Sequence, residues 1–238
     1  GGGGSGGTAV GLSSDELYAF TSHTFTNCGS TGRFGPSKSQ CTTAYSSASW
    51  ASQVAFFDVP SSSNGGRDGY QLWTVPATGE YTITAGGASD GWDAGLGATI
   101  TSTYTLNKGD KYWICIGQQG VQNDGNGGWC SSGGGGGTFM VRRRGEVAYA
   151  LARIGDVLII AGGGGGSDAT GNASNKTLRD HGQDSTEVRN SFTTETTGGK
   201  YSSGSVNGGG GGSGFIDSGV QRTTTQGSGS DSFVNGLA

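Results

Sequence analysis

Short stretches in which apolar and polar residues alternate are the clearest pattern along this 238-residue chain. From Ala98 to Leu106, the side chains of Ile100, Tyr104 and Leu106 fall on one face, and threonines occupy the other. Tyr81 to Ala85 alternates in the same way. Because a period of two is typical of a β-strand that buries one face, the pattern predicts half-buried strands.

Other apolar segments predict further strands, separated by Pro and Gly turn signals. These strands are Ala55–Val59, Gln71–Val75, Tyr112–Ile116, Thr138–Val141 and Val157–Ala161. Aromatic residues among serines and threonines from Leu17 to Phe25 favour a first pair of short strands. Pro36 indicates the start of a short helical turn that carries Cys41. We therefore predict an all-β fold, with antiparallel strands in a sandwich around a core of Val, Ile, Leu, Tyr and Trp.

Three unbroken runs of five glycines interrupt this pattern, at Gly133–Gly137, Gly162–Gly166 and Gly208–Gly212. Isolated glycine runs are flexible linkers, because glycine loses more backbone entropy on ordering than any other residue. The alternative is a packed array of polyglycine-II helices, which make no internal hydrogen bonds and can bond to one another. We favour the array, and the positions assigned to it are Gly133, Gly135, Gly137, Gly162, Gly164, Gly166, Gly208, Gly210 and Gly212.

Two of the glycine runs are directly attached to predicted strands. Gly133–Gly137 leads into Thr138–Val141, and Val157–Ala161 leads into Gly162–Gly166. Strands that continue as glycine helices would anchor the array, so we treat residues 17–238 as one domain with both parts. Residues 1–16 form a separate glycine-rich segment, interpreted as a further array strand, with a flexible linker as the alternative.

Composition excludes several classes of protein. Glycine contributes 52 residues but proline only 3, which excludes collagen. A formal net charge of -4 with 13% charged residues gives no basic footprint for nucleic acid. No apolar run approaches the roughly 18 residues of a membrane-spanning helix.

The four cysteines predict two local disulfides, Cys28–Cys41 and Cys115–Cys130. Their spacing does not match that of zinc sites, and the chain has only 2 histidines. This pairing is the simplest of three connectivities, and it would imply an oxidising compartment. Buried free thiols are the alternative.

Two glycosylation sequons, at Asn172 and Asn175, lie in a polar stretch after the second glycine run. Random polar sequence often contains such triplets, so they add only weak support. Together with the predicted disulfides, they favour an extracellular or cell-surface location.

Five motifs follow one another in a fixed order between Phe25 and Gly166. They are Asn27–Pro36 (NCGSTGRFGP), Gln40-Cys41, Gln71–Pro76 (QLWTVP), Gly117–Gly120 (GQQG) and the glycine run before Thr138-Phe139. This series resembles the glycine-rich extracellular region of the anaplastic lymphoma kinase and leukocyte tyrosine kinase receptors. The resemblance implies a jelly-roll-like sandwich similar to tumour necrosis factor, with polyglycine-II helices packed hexagonally beside it. It also implies an extracellular module, but not by itself a receptor, because fold and function separate.

No catalytic, cofactor or metal site is predicted. A nucleophile–base pair would need His23 or His181, and both lie in Ser- and Thr-rich surroundings typical of solvated surface histidines. The candidate binding residues are tryptophans in Gly- and Ser-rich loops, where an indole is either packed or available to a partner. They are Trp50, Trp92 and Trp129.

These observations predict a non-catalytic extracellular module with a structural or adhesive role, as a component of a surface filament or matrix. Helices at the edge of the array would keep unpaired backbone groups, which another copy of the chain or an adjoining domain could continue. The alternative is a recognition module, either a receptor ectodomain or an adhesin tip, with a protein or glycan ligand. An enzyme is the third and least favoured class.

Overall fold

The computed structural model describes most of the first two-thirds of the chain. It covers residues 15–31, 35–60, 69–93, 95–123, 129–144, 156–166, 168–170 and 176–177. Residues 123, 129–131, 168–170 and 176–177 are described by their backbone alone.

Within these residues the secondary structure is mainly β. The helices are α1 (Lys38–Ala44) and a 3-10 helix (Ser49–Ser52). The strands are β1 (Phe57–Asp58), β2 (Gln71–Thr74), β3 (Gly79–Gly86), β4 (Thr99–Leu106), β5 (Lys111–Cys115), β6 (Gln122–Asn123), β7 (Trp129–Ser132), β8 (Thr138–Arg142), β9 (Val157–Ala161), β10 (Asp168–Thr170) and β11 (Lys176–Thr177).

The strands form three antiparallel sheets in the described part of the chain. The largest has the order β1-β2-β5-β8-β9, and a second has the order β11-β10-β7-β6. Strands β3 and β4 pair with each other, from Gly79 opposite Leu106 to Gly86 opposite Thr99. The predicted all-β fold of antiparallel strands is therefore confirmed.

The five-stranded sheet is buried on both faces. On β5, Tyr112 and Ile114 belong to one apolar cluster, and Trp113 between them belongs to a second. On β8, Met140 lies in the first cluster and Phe139 in the second. A strand buried on both faces is a continuous apolar run and shows no alternation, which explains the sequence pattern of these strands.

The β3–β4 pair has the alternation that the sequence predicts. Ala85, Ile100 and Leu106 are buried in the first cluster, while Thr82 and Thr101 on the opposite face are exposed. Its apolar face therefore shares a core with one face of the five-stranded sheet. Two facing antiparallel layers result, and both end where the glycine segments begin.

Helix α1 begins close to the predicted position. Ser37 is its N-cap, and the side chains of Ser37 and Gln40 form a capping box. Such a box satisfies two backbone N–H groups that the first turn leaves without partners. Cys41, in the middle of the helix, is fully buried.

The predicted first pair of strands is wrong. Residues 15–31, which we call the strap, contain no strand. A backbone bond from Leu17 N–H to Pro76 O at 2.9 Å ties them to the turn between β2 and β3. Their aromatic side chains pack on the sheet instead, as where Tyr18 lies 4.6 Å from Phe56 and Phe20 lies 5.5 Å from Trp73, between ring centroids. The aromatic residues that favoured strands are thus core residues of an irregular segment.

A polar contact fixes the middle of the strap. The side-chain amide of the buried Gln71 donates to Thr26 O at 2.7 Å, and the Tyr45 hydroxyl donates to Gln71 Oε1 at 2.8 Å. The same hydroxyl accepts from Thr26 N–H at 2.7 Å. Buried polar groups are therefore paired where the strap crosses β2.

One of the two predicted disulfides is confirmed. Cys28 and Cys41 are bonded, which links the end of the strap to α1. Cys115 instead carries a free thiol, so the predicted Cys115–Cys130 bridge is corrected. The strands explain the difference, because Cys115 is paired with Phe139 in the largest sheet, whereas Cys130 is paired with Ala169 in another.

We predict that the Cys115 thiol resists alkylation in the native protein. Burial raises the pKa of this thiol to about 12, and only the thiolate is nucleophilic. Iodoacetamide at about pH 8 should label Cys115 slowly until urea unfolds the chain. Peptide mapping without reduction should recover the Cys28–Cys41 bridge. Rapid native labelling, or a recovered Cys115–Cys130 peptide, would contradict the structure.

Candidate functional site: the glycine bundle

Five extended segments lie side by side at one end of the sheets, and we call them the glycine bundle. They are residues 86–91, 95–98, 117–121, 133–137 and 162–166. Each begins or ends next to a strand: 86–91 continues from β3, 95–98 leads into β4, and 117–121 follows β5. Segment 133–137 joins β7 to β8, and 162–166 follows β9. The sheets therefore set the position of every segment.

Backbone hydrogen bonds join segment 86–91 to its neighbours at intervals of three residues. Gly87 and Asp90 donate to Ala98 O and Gly95 O at 2.8 and 2.9 Å. Ala88 and Gly91 donate to Gly136 O and Gly133 O at 3.0 and 3.2 Å. Residues three apart thus face the same neighbour, and adjacent residues face different ones.

Segment 133–137 repeats this spacing. Gly133 and Gly136 donate to Val121 O and Gln118 O, both at 2.9 Å. Gly135, which lies between them, donates to Gly164 O at 2.8 Å in a different segment. The backbone groups of the two glycine runs are therefore bonded laterally, which a flexible linker would not show.

The segments approach so closely that several positions have no room for a side chain. A Cβ at Gly135 would lie 2.0 Å from Ala88 O, and one at Gly163 would lie 2.0 Å from Gly135 O. A Cβ at Gly133, by contrast, would have its nearest contact at 3.5 Å, with Val121 N. Glycine is thus sterically required at particular positions of a run, and tolerated at others.

A buried carboxylate fixes the turn between segments 86–91 and 95–98. Asp90 is fully buried, and its Oδ1 accepts from Gly95 N–H at 3.1 Å and Trp92 N–H at 3.3 Å. Its Oδ2 accepts from the Ser132 hydroxyl at 2.5 Å. Because Ser132 directly precedes the run at 133–137, Asp90 aligns three parts of the bundle.

A second acid shapes the outer side of this turn. Asp93 is exposed and has φ of 55°, a conformation that Asp tolerates better than most residues. Its Oδ1 accepts from the Ser89 hydroxyl at 2.5 Å and from Gln119 Nε2 at 2.8 Å. These contacts are those of a polar turn, and the described residues contain no group of three or more His, Cys, Asp or Glu that could hold a metal ion.

Sequence reasoning missed three of the five segments, 86–91, 95–98 and 117–121, and the role of Asp90. Segments 86–91 and 95–98 are not unbroken glycine runs, because Ala88, Ser89 and Leu96 interrupt them. The available signal was the spacing of glycines rather than their number: Gly117 and Gly120 are three apart, and a Cβ at either would lie 2.1 or 1.9 Å from a neighbouring carbonyl oxygen.

Two of the three tryptophans predicted as binding residues do not lie on the surface. Trp50 and Trp92 are buried, and Trp50 stacks on Tyr18 at 5.4 Å between ring centroids. Their assignment to ligand binding is therefore corrected, because both side chains are buried and offer no exposed ring to a partner. Trp129 lies in β7, where only its backbone is described.

Several other predicted features lie outside the described residues. They are residues 1–14, the sequons at Asn172 and Asn175, His181, and the third glycine run with Gly208, Gly210 and Gly212. Within the described part, none of the helices is long and apolar enough to cross a membrane.

The chain is similar over part of its length to a known receptor. A stretch of 102 residues is 36% identical to the leukocyte tyrosine kinase receptor of Mus musculus. This match covers 40% of the chain and 11% of the receptor, so the chain corresponds to a small part of that protein. No family model matches the chain. The similarity supports relatedness to an extracellular region of a receptor.

We predict that Gly135→Ala lowers the free energy of unfolding by at least about 2 kcal/mol, because its Cβ would overlap a fixed carbonyl. Gly133→Ala is the matched control in the same run, and it should change stability by less than about 0.5 kcal/mol. Both substitutions change the entropy of the unfolded chain by the same amount. The difference between their free energies of unfolding, measured by urea denaturation, therefore reports the steric overlap at residue 135. Equal stabilities would contradict the close packing.

We predict that Asp90→Ala lowers the free energy of unfolding by about 2–4 kcal/mol, because three buried donors would lose their acceptor. Asp93→Gly is the control, since it removes an exposed carboxylate and glycine accepts the positive φ. Urea denaturation should place the control within about 1 kcal/mol of the parent. A small effect of Asp90→Ala would show that water or another group can replace the carboxylate.

Proposed function

We propose that the chain is a non-catalytic extracellular recognition module in which the glycine bundle is a rigid scaffold of packed polyglycine-II helices. The three-residue spacing of its lateral bonds carries this proposal. Polyglycine II has about three residues per turn and no internal hydrogen bonds, so its N–H groups point to three different neighbours. The bonds of Gly133, Gly135 and Gly136 follow that rule.

The proposal extends to the fold of the sheets, as a jelly-roll-like sandwich similar to tumour necrosis factor. The order β1-β2-β5-β8-β9 supports it, because β2, β5 and β8 are neighbours without being consecutive in sequence. Long connections between antiparallel strands that are neighbours in the sheet but not in sequence are typical of Greek-key and jelly-roll folds. The glycine segments are parts of these connections.

An extracellular location is supported by two independent observations. The Cys28–Cys41 disulfide fits an oxidising compartment, where such bonds persist. The partial similarity to a receptor points the same way. A binding function, rather than catalysis, follows from the same similarity as a proposal for this chain.

Recognition is preferred to the filament or matrix role that the sequence favoured. The self-assembly hypothesis depended on glycine helices at the edge of the array, and two of the predicted helices, in residues 1–16 and 208–212, lie wholly or mostly outside the described residues. Two exposed apolar side chains instead lie on outer segments of the bundle: Leu96 is 57% exposed and Val121 is 66% exposed. We propose that these side chains contact a protein ligand, because apolar groups held on a rigid backbone lose little entropy on binding.

We predict saturable binding of the purified, secreted chain to cells that carry its partner. Leu96→Ser and Val121→Ser should each weaken binding by about tenfold, which is typical of an interface anchor. Val54→Ser is the matched control, because Val54 is equally apolar and 67% exposed but lies outside the bundle. Flow cytometry with labelled chain, competed by unlabelled chain, measures the affinities.

Two results would contradict this function. Equal losses for all three valine and leucine variants would show that the bundle is not the contact surface. Sedimentation velocity provides the second test: a sedimentation coefficient that rises with concentration, without saturable cell binding, would favour self-assembly. A monomer that binds a glycan array would make the ligand a carbohydrate instead of a protein.

A further inference from the structure

The strap is held to the sheets by aromatic contacts rather than by a strand ladder. Tyr18 donates its hydroxyl to Thr74 O near one end, and the disulfide of Cys28 fixes the other. Between these points, Phe25 packs 6.0 Å from Trp73 between ring centroids. A segment with few backbone bonds to its neighbours can open locally without global unfolding.

His23 lies at the centre of these contacts. Its ring is half-buried, with centroids 4.7 Å from Phe25, 4.5 Å from Tyr45 and 4.8 Å from Trp50. Its Nε2 atom is buried and has no hydrogen-bond partner among the described residues. The sequence predicted a solvated surface histidine, and this interpretation is wrong because the polar neighbours in sequence are not its neighbours in space.

The elements packed against His23 present no negative charge to its ring in the described structure. On α1, Lys38 is bonded to Asp58 at 2.8 Å, and the Tyr45 hydroxyl after that helix is paired with Gln71 and Thr26. The 3-10 helix Ser49–Ser52, which carries Trp50, has no charged residue. In the strap itself, Asp15 is paired with Lys108 at 3.1 Å. Glu16 lies near Tyr81, and burial of Tyr81 together with the negative charge of Glu16 raises the pKa of the Tyr81 hydroxyl.

We propose that His23 is an acid-sensitive latch, whose protonation releases the strap from the sheets. The neutral ring fits among three aromatic side chains, whereas an imidazolium there would be a partly buried charge without a counter-ion. Release would uncover Trp50, which Tyr18 and His23 contact in the closed form. The Cys28–Cys41 bond would keep the strap attached, so that closure is reversible.

The direction of the pH dependence follows from linkage. Burial lowers the pKa of His23 below its ordinary value of 6.5. The open strap takes up a proton at a higher pH than the closed strap, so opening is insensitive to pH above 6.5 and increases as pH falls below it. For one proton, the opening equilibrium changes by at most about tenfold per pH unit. An extracellular module that enters acidic compartments would therefore change its surface there.

Hydrogen exchange of the whole chain with its disulfide intact tests the latch. After correction for the intrinsic exchange rate, protection of peptides covering residues 17–27 should fall below about pH 6.5 by up to about tenfold per pH unit. Peptides from β5 and β8 are the internal reference and should not change. His23→Phe should remove the pH response, and His181→Gln, at the other histidine, should retain it.

The imidazole titration of the unmodified chain tests the same proposal even where His23→Phe does not fold. Nuclear magnetic resonance should give His23 a pKa below that of a peptide histidine. A pKa at or above the ordinary value would overturn the latch, because it would mean that the aromatic faces stabilise the cation. Strap protection that is constant with pH, or an unchanged response in His23→Phe, would overturn it as well.

Discussion

The structure depends on backbone hydrogen bonds that cross between glycine segments through gaps that no Cβ can enter. At Gly120 a Cβ would lie 1.9 Å from Gly133 O, and at Gly87 it would lie 2.0 Å from Gly162 O. The steric and the hydrogen-bonding requirements are coupled. A side chain that separated two segments would also lengthen the bonds each makes to its other neighbours, so one substitution would be felt across the bundle.

Ordering so much glycine is costly, since glycine gives up more backbone freedom than any other residue. The sheets reduce this cost because the segments are extensions of strands whose positions are already set. Gly137 shows the connection: it precedes β8, and a Cβ there would lie 2.8 Å from the ring of Phe139, a core residue of that strand. At the turn between segments 86–91 and 95–98, where no strand is present, the buried Asp90 fixes the position of the backbone through its hydrogen bonds.

The sequence predicted correctly those features in which the type of a side chain indicates whether that residue is buried or exposed. Alternation located β3 and β4, because exposed threonines and buried aliphatic residues differ in kind. It failed where the surroundings come from distant chain segments. Tyr18 and Phe20 have strand propensity but pack without a ladder, and His23 is polar in sequence yet lies among three rings. Likewise, the sequence could not show that Cys115 stays a free thiol, because this depends on Cys115 and Cys130 lying in strands of different sheets.

The three-residue spacing of the lateral bonds also explains how a backbone scaffold can carry variable side chains. In the outer segment 95–98, a Cβ at Gly95 would lie 2.1 Å from Gly165 O and one at Gly97 2.2 Å from Gly87 O, whereas Leu96 between them is exposed. Gly95 and Gly97 therefore have no room for a side chain, but the position between them, which faces solvent, is not constrained in this way. The run at 133–137 bonds to three other segments, and its middle residue Gly135 likewise has no room for a Cβ, whereas Gly133 at its start does. An outer segment can therefore change its solvent-facing residue, and with it the chemistry of the exposed surface, while the hydrogen bonds that hold the bundle together remain in place.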